Sequence, residues 1–235
     1  MSAAIRLFVT APLTTGSAVE TTAQQAHYLG AVMRRRAGDP VRLFNGLDGE
    51  WLTHIEAIHR DRARLGVDRL LREQVPEPDV WLAFALLKRD ATDLVVQKAT
   101  ELGVATIRPV ITARTNSGRV NLARLVAIAV EAAEQSERLT VPELHQPEPL
   151  PALLASWPTG RRLIVAVERI QAPEIPSLTG PAALLVGPEG GFDPAELETL
   201  RAQPFVIARS LGPRILRAET ACIAGLTLLQ ARQTG

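Results

Sequence analysis

The chain has 235 residues, 46% of them apolar, and its 26 lysines and arginines nearly balance 25 acidic residues, leaving a net charge of +1. That length and composition fit one large domain or two small ones with a sizeable core, exclude wholesale disorder, and point to no strongly charged partner. A lone Cys222 excludes an internal disulfide framework and suits a reducing cytoplasm.

The N-terminal stretch MSAAIRLFVTAPL is interrupted by Arg6 and makes a poor signal peptide. Residues 1–72 read as a small β-rich unit. IRLFV (5–9), VRLFNG (41–46), EWLTHIEAIH (50–59) and RARLGVDRLL (62–71) are strand-like, and Asn45-Gly46 and Asp48-Gly49 are turn pairs. One helix is expected over Thr22 to Arg36, ending before Gly38-Asp39-Pro40. Pro76 and Pro78 in REQVPEP mark the domain boundary, and residues 73–235 form the second domain.

From there strands and helices alternate. VWLAFALL (80–87) is a buried strand and the longest clear apolar run, far short of the roughly 18 residues of a membrane span. Thr92 to Leu102 is a helix closed by Gly103, ATIRPVIT a strand, and Asn121 the cap of a helix whose Leu122, Leu125, Val126, Ala129, Ala132, Ala133 and Ser136 share a face. A Pro-rich passage (142–158) is a loop or weak helix. RLIVAVE (162–168), AALLVG (182–187) and FVIARSLG (205–212) are short strands, and Ala218 to Arg232 is the closing helix. The alternation implies an α/β fold with a parallel sheet.

Ligands of open α/β sheets bind beyond the carboxyl ends of the strands. Three strand ends carry distinctive loops: Val167-Glu168-Arg169, Gly187-Pro188-Glu189-Gly190-Gly191, and Leu211 to Arg217. In the second, Asp193 is an N-cap, Pro194 the first helical residue, Glu196 the partner in a capping box, and Phe192 with Leu197 a hydrophobic staple. The helix start leaves Gly190-Gly191 unexplained, and glycines there let a ligand approach the main chain. No G-x-G-x-x-G or P-loop is present. Glu189 makes a phosphate a weaker candidate than an uncharged adenosine-like group, and a cationic ligand would tolerate it. In the third loop, Leu211, Ile215 and Leu216 offer apolar surface beside Gly212. Arg214 and Arg217 suit a phosphodiester backbone or, alternatively, pair with Glu219 or Glu189.

GPEGGF (187–192) with LGPRILRAETA (211–221) resembles the bacterial 16S ribosomal RNA uridine N3-methyltransferases of the SPOUT superfamily. HYLGAVMRRRAGD (27–39) with LFNGLDGEW (43–51) resembles the N-terminal PUA-like β-barrel of that family. QKATELGVATIRPVITART (97–115) and EAAEQSERLTVPE (131–143) resemble its catalytic segments, so the likeness spans the chain. The resemblance implies a trefoil-knotted α/β SPOUT methyltransferase domain, a rare exception to unthreaded chains. It implies S-adenosylmethionine (SAM) as cofactor, a homodimer, and 16S rRNA of the small ribosomal subunit as substrate. The implied cofactor residues are Val167, Glu168, Val186, Gly187, Pro188, Glu189, Gly190, Gly191, Leu211, Gly212, Ile215, Leu216, Arg217 and Thr220.

Methylating uridine N3 requires loss of the N3 proton, stabilisation of the charge left on the ring, and alignment with the methyl donor. Arg217 is the candidate to favour the anionic base. Glu189 either holds the loop or assists proton removal. RNA contacts are expected from Arg6, Arg34, Arg35, Arg36, Lys88, Lys98, Arg138 and Arg214, with Arg34–Arg36 equally readable as a solvated helix end. Of the basic residues 24 are arginine and two are lysine. Genomic base composition accounts for that bias better than phosphate recognition does. His27, His54, His59 and His145 lack metal-ligand spacing. Trp51 and Trp81 are core candidates, and Trp157 fits either role. The competing functions are a SPOUT ribose 2′-O-methyltransferase and a non-enzymatic RNA-binding assembly factor.

Overall fold

The computed structural model describes residues 5–115, 120–168 and 180–231, so Arg169 and Arg232 lie outside the described residues. The chain folds into two compact units, one of residues 1–76 with 133–141 and one of residues 77–132 with 142–235.

In the first unit, β1 (Arg6–Phe8) pairs in parallel with β3 (Pro40–Phe44). β4 (Glu50–Ile58) pairs antiparallel with β3 and with β5 (Ala63–Arg72), and β2 (Ala18–Glu20) closes the order β1-β3-β4-β5-β2. The short β2 is too brief to show a periodic pattern in the sequence. Leu7, Val19, Leu29, Val41, Leu43, Ile55 and Leu65 form the core, each side chain contributing about 1.5–3 kcal/mol on burial.

Helix α1 (Ala23–His27) starts at a capping box: Thr22 Oγ1 accepts the Gln25 N–H, and the Gln25 side chain accepts the Thr22 N–H. It runs on as a π-helical turn over Tyr28–Val32. The expected continuation to Arg36 does not form. Arg34 takes a left-handed φ of 53°, and Asp39 Oδ2 accepts the Arg36 N–H at 2.9 Å. The Arg34–Arg36 triplet therefore lies in the loop beyond the helix.

The 45–49 turn is tied by side chains. Asp48 Oδ2 accepts the Leu13 N–H at 2.9 Å and the Asn45 side-chain amide at 2.7 Å. These bonds, the Leu13 one foremost, hold the Asp48 carboxyl below its ordinary value. A lowered folded-state pKa gives stability that is present above the unfolded carboxylate value near 4 and is lost as pH falls through the folded one. Asp48→Asn should therefore be less stable than wild type at neutral pH, with the two melting curves converging below about pH 4. Thermal melts across that range test it.

Residues 133–141 join this unit through Arg6, which is 7% exposed. Its guanidinium meets Glu50 Oε1 at 2.5 Å and lies 4.4 Å from the Phe44 ring centre. It also donates to the carbonyls of Ala133 and Glu134 at 2.9 Å and of Arg138 at 2.7 Å. Helix α3 (Leu122–Gln135) ends here, so one arginine satisfies carbonyls that a helix C-terminus leaves without partners. Ala133 and Leu139 pack with Phe44 and Phe8. Arg138, 8% exposed, donates to Thr140 at 2.9 Å. Arg6 and Arg138 are thus internal supports rather than RNA contacts: both are buried and their donors bond inside the unit.

The second unit is a parallel sheet. Its strands are β6 (Val80–Ala85), β7 (Thr106–Ile111), β8 (Glu143–Leu144), β9 (Glu148–Pro149), β10 (Arg162–Ala166), β11 (Ala182–Val186) and β12 (Val206–Arg209). They lie in the order β12-β10-β11-β6-β7-β8, with β9 also on β7. Helices α2 (Arg89–Glu101), α4 (Leu150–Ala155), α5 (Pro194–Arg201) and α6 (Ala218–Ala231) alternate with them. The central strands are apolar without alternation, as expected of a sheet covered on both faces. Gly225 lets α6 lie close on β11, since a β-carbon there would stand 2.7 Å from a Leu184 methyl. Asn121 caps α3 by accepting the Arg124 N–H at 3.1 Å. Trp157 stacks on Phe205 at 5.7 Å and meets Trp81 edge-on, which makes it a packing residue. No helix among the described residues is long and apolar enough to cross a membrane.

Candidate cofactor cleft

Strands β12, β10 and β11 are neighbours, so their carboxyl ends and following loops meet at one place. There they line a cleft of about 540 Å³, within the 300–1,000 Å³ range of small-molecule sites. One wall is the loop after β11. The Gly191 N–H returns to the Pro188 carbonyl at 2.8 Å, and Gly191 takes φ 70°, which favours glycine. A β-carbon on Gly187 would stand 3.0 Å from the Phe192 ring. The loop is therefore wrapped tightly on a phenylalanine that is 8% exposed and part of the core.

Helix α5 then starts as its sequence dictates. Asp193 accepts the Ala195 N–H at 3.0 Å, and Glu196 Oε2 accepts the Asp193 N–H at 2.9 Å. Phe192 and Leu197 pack in the same cluster as the expected staple and also face the cleft.

The cleft brings together Val167, Glu168, Val186, Gly187, Pro188, Glu189, Gly190, Gly191, Leu211, Gly212 and Leu216. Ile215, Arg217 and Thr220 do not line it. All three are exposed, Ile215 by 59%, while Leu216, Ala218 and Ala221 beside them line the cleft. Arg214, expected from the sequence to contact RNA, is exposed and lines the cleft. Neither Arg214 nor Arg217 pairs with Glu219 or Glu189 among the described residues.

Glu189 is exposed at the cleft, and its side chain bonds to no described residue. Its side chain therefore makes no bond that holds the loop among the described residues, and the α5 cap is made by Asp193 and Glu196. Sequence reasoning also missed Arg201, a cleft residue in the last turn of α5. Nothing in its local pattern separates it from an ordinary cation favoured at a helix C-terminus.

Of the remaining basic candidates, Arg34, Arg36 and Lys88 are exposed and Arg35 is half-buried. Lys98 is held by Glu101 at 2.8 Å, an exposed pair worth little energetically. Burial pushes the Cys222 thiol well above its ordinary pKa, with Glu219 adding to the shift, so it stays protonated and is no nucleophile. Among the described residues no group of three or more His, Cys, Asp or Glu side chains is placed to hold a metal.

Comparison with known proteins agrees with this architecture. Residues 74–230 match the RNA methyltransferase domain family and residues 21–68 the RNA methyltransferase PUA domain family. Ribosomal RNA small subunit methyltransferase E of Rickettsia conorii is 33% identical over 229 residues, covering 94% of this chain and 93% of that protein. The Bacillus subtilis protein of the same name is 31% identical over 88% of each chain. The crystal structure of a ribosomal RNA small subunit methyltransferase E from Neisseria gonorrhoeae, bound to S-adenosyl methionine, superposes with a TM-score of 0.89 at 28% identity over 97% of both chains. With a family match across most of its length and relatives of this kind end to end, the chain belongs to the RNA methyltransferase family that includes the ribosomal RNA small subunit methyltransferase E proteins.

Proposed function

We propose that the protein is a SAM-dependent methyltransferase of 16S rRNA in the small ribosomal subunit, and that it methylates N3 of a uridine. One observation carries the reading: three adjacent strand ends build a cleft from main-chain amides, apolar walls and unpaired charges. These residues fit SAM. Main chain at Gly187–Gly191 and Gly212 would hold the polar edges of its adenosine, and Val186 and Leu216 would flank the ring. Glu168 and Glu189 would favour its positive charge. Bound there, SAM supplies an electrophilic methyl group.

This chain supplies positioning and electrostatics. Arg217, exposed beside the cleft, favours the uracil with its N3 proton removed by placing fixed positive charge near O2 or O4. It cannot itself accept the proton, because a guanidinium has no acceptor. Glu189 is the carboxylate at hand to take that proton or pass it to solvent. Arg34, Arg35, Arg36 and Lys88 are the first-choice phosphate contacts, since they keep their charge available to solvent. The trefoil knot and the homodimer implied by the resemblance belong to the same reading, and analytical ultracentrifugation tests the second.

The decisive assay is methyl transfer from labelled SAM to small subunits lacking the modification, with naked rRNA in parallel and the product identified as a nucleoside. N3-methyluridine supports the reading. A 2′-O-methylnucleoside would replace it with ribose methylation, and SAM binding without transfer to either RNA would refute it. Arg217→Ala is expected to lower kcat/KM by about 100-fold, the scale of removing one charge-stabilising donor, while leaving SAM affinity within about twofold. Unchanged transfer and RNA affinity would remove Arg217 from the mechanism.

A further inference from the structure

Outside the cleft lining, the loop after β7 is tied to the cofactor loop at several points. Residues Thr112–Thr115 form a tight turn. The Thr115 N–H donates to the Thr112 carbonyl at 3.1 Å, and the Thr112 N–H donates to Thr115 Oγ1 at 2.9 Å. The turn presents two groups to the segment after β11. The Ala113 N–H donates to Glu196 Oε1 at 2.8 Å, while the other oxygen of that carboxylate holds the Asp193 N–H of the α5 cap. Arg114 Nη1 donates to the Gly190 carbonyl at 2.7 Å, and Nη2 lies 3.8 Å from Asp193 Oδ2. The arginine Cδ would also be the nearest atom, at 3.5 Å, to a β-carbon on Gly190, so its stem lies along that glycine.

We infer that Arg114 is a positioning residue that braces the Gly187–Gly191 loop in the shape that binds the cofactor. This inference rests on the proposed SAM site. The physical case is that Gly190 and Gly191 have little else to fix them. Side-chain-free residues are the most mobile backbone in a chain. The Pro188–Gly191 turn has one internal bond, and Glu189 anchors nothing among the described residues. A guanidinium-to-carbonyl bond is charge-assisted and directional, and its origin on a second turn, closed by its own hydrogen bonds, makes it a brace. The ion pair with Asp193 is half-exposed and adds little by itself. Glu196 serves the same purpose from the other side, since its carboxylate joins the α5 start to the 112–115 turn.

Arg114→Ala should weaken SAM binding by calorimetry about tenfold, the scale of losing one hydrogen bond from a charged group. Transfer at saturating SAM should fall by no more than about threefold, so KM for SAM rises while kcat holds. Arg114→Lys, which keeps a donor, should recover part of the affinity. Hydrogen exchange of the ligand-free protein reads the brace without any cofactor: amides of residues 189–193 should exchange at least about tenfold faster in Arg114→Ala, with peptides of β5 unchanged. If wild-type protein binds no SAM, the functional reading fails, and the exchange result alone judges the brace. Wild-type exchange at 189–193 in Arg114→Ala, or wild-type SAM affinity, would overturn it. Faster exchange everywhere would mean general destabilisation and would overturn it equally.

Discussion

Glu50→Ala is expected to destabilise the first unit by about 3–5 kcal/mol, because it leaves the buried Arg6 without its counter-ion. Glu50 is 1% exposed, and Arg6 Nε meets it at 2.5 Å, with Arg72 Nε at 3.3 Å and Arg42 at 3.9 Å on the other oxygen. Removing the carboxylate strips charge compensation from a guanidinium that also carries three carbonyls of residues 133–138. The loss should therefore reach the end of α3 as well as the sheet. Hydrogen exchange of the β4 and 133–141 peptides, measured against peptides of β10 and β11, reads this directly. A double variant, Arg6→Met with Glu50→Leu, should recover part of the loss, since apolar replacement removes both buried charges. It should not recover all of it, because those carbonyls stay without a donor. Full recovery would show that Arg6 serves only Glu50.

The second large effect is expected at Gly187. Gly187→Val puts a branched side chain where a single β-carbon already stands 3.0–3.2 Å from three atoms of the Phe192 ring. The ring is packed in the core beside Leu185 and Leu200 and cannot swing away without opening it. Overpacking of this kind costs about 1–3 kcal/mol. Here the strain falls on the loop that forms the cleft wall, so SAM affinity should drop roughly 10- to 100-fold, with a matching rise in KM. The first unit should melt as in wild type. SAM affinity within twofold of wild type would show that the loop accommodates the side chain and does not depend on its fit to Phe192.

The strands and the α5 start were legible because each is specified locally. VWLAF and AALLV are apolar runs of strand length, VRLF alternates as a strand does, and Asp193-Pro194-Ala195-Glu196 carries its cap, first-turn proline and capping box within four residues. The Gly187–Gly191 loop stood out for a related reason: the helix start at Asp193 does not account for the two adjacent glycines before it, and the loop forms a wall of the cleft. Residue-level chemistry was less legible. Arg6 and Arg138 look like any surface arginine in a chain with 24 of them, and only their fold neighbours show that both are buried. Arg214 and Arg217 are three residues apart, yet one lines the cleft and the other does not, although Leu216 and Ala218 on either side of Arg217 both line it.

The amino-acid sequence by itself determined what depends on neighbours a few residues apart: the alternation of strands and helices, the capping box at Asp193, the turn glycines, and the motifs that mark the family. The tertiary structure alone decided what depends on residues far apart in the chain. Residues 133–141, which follow on a helix begun in the second unit, are claimed by the first through Arg6, 127 positions away from Ala133. Arg114 reaches Gly190 across 76 residues. A hydrogen bond or buried ion pair is set by distances of a few ångströms in space, and local sequence pattern carries no record of which distant segment the sheet order will place alongside.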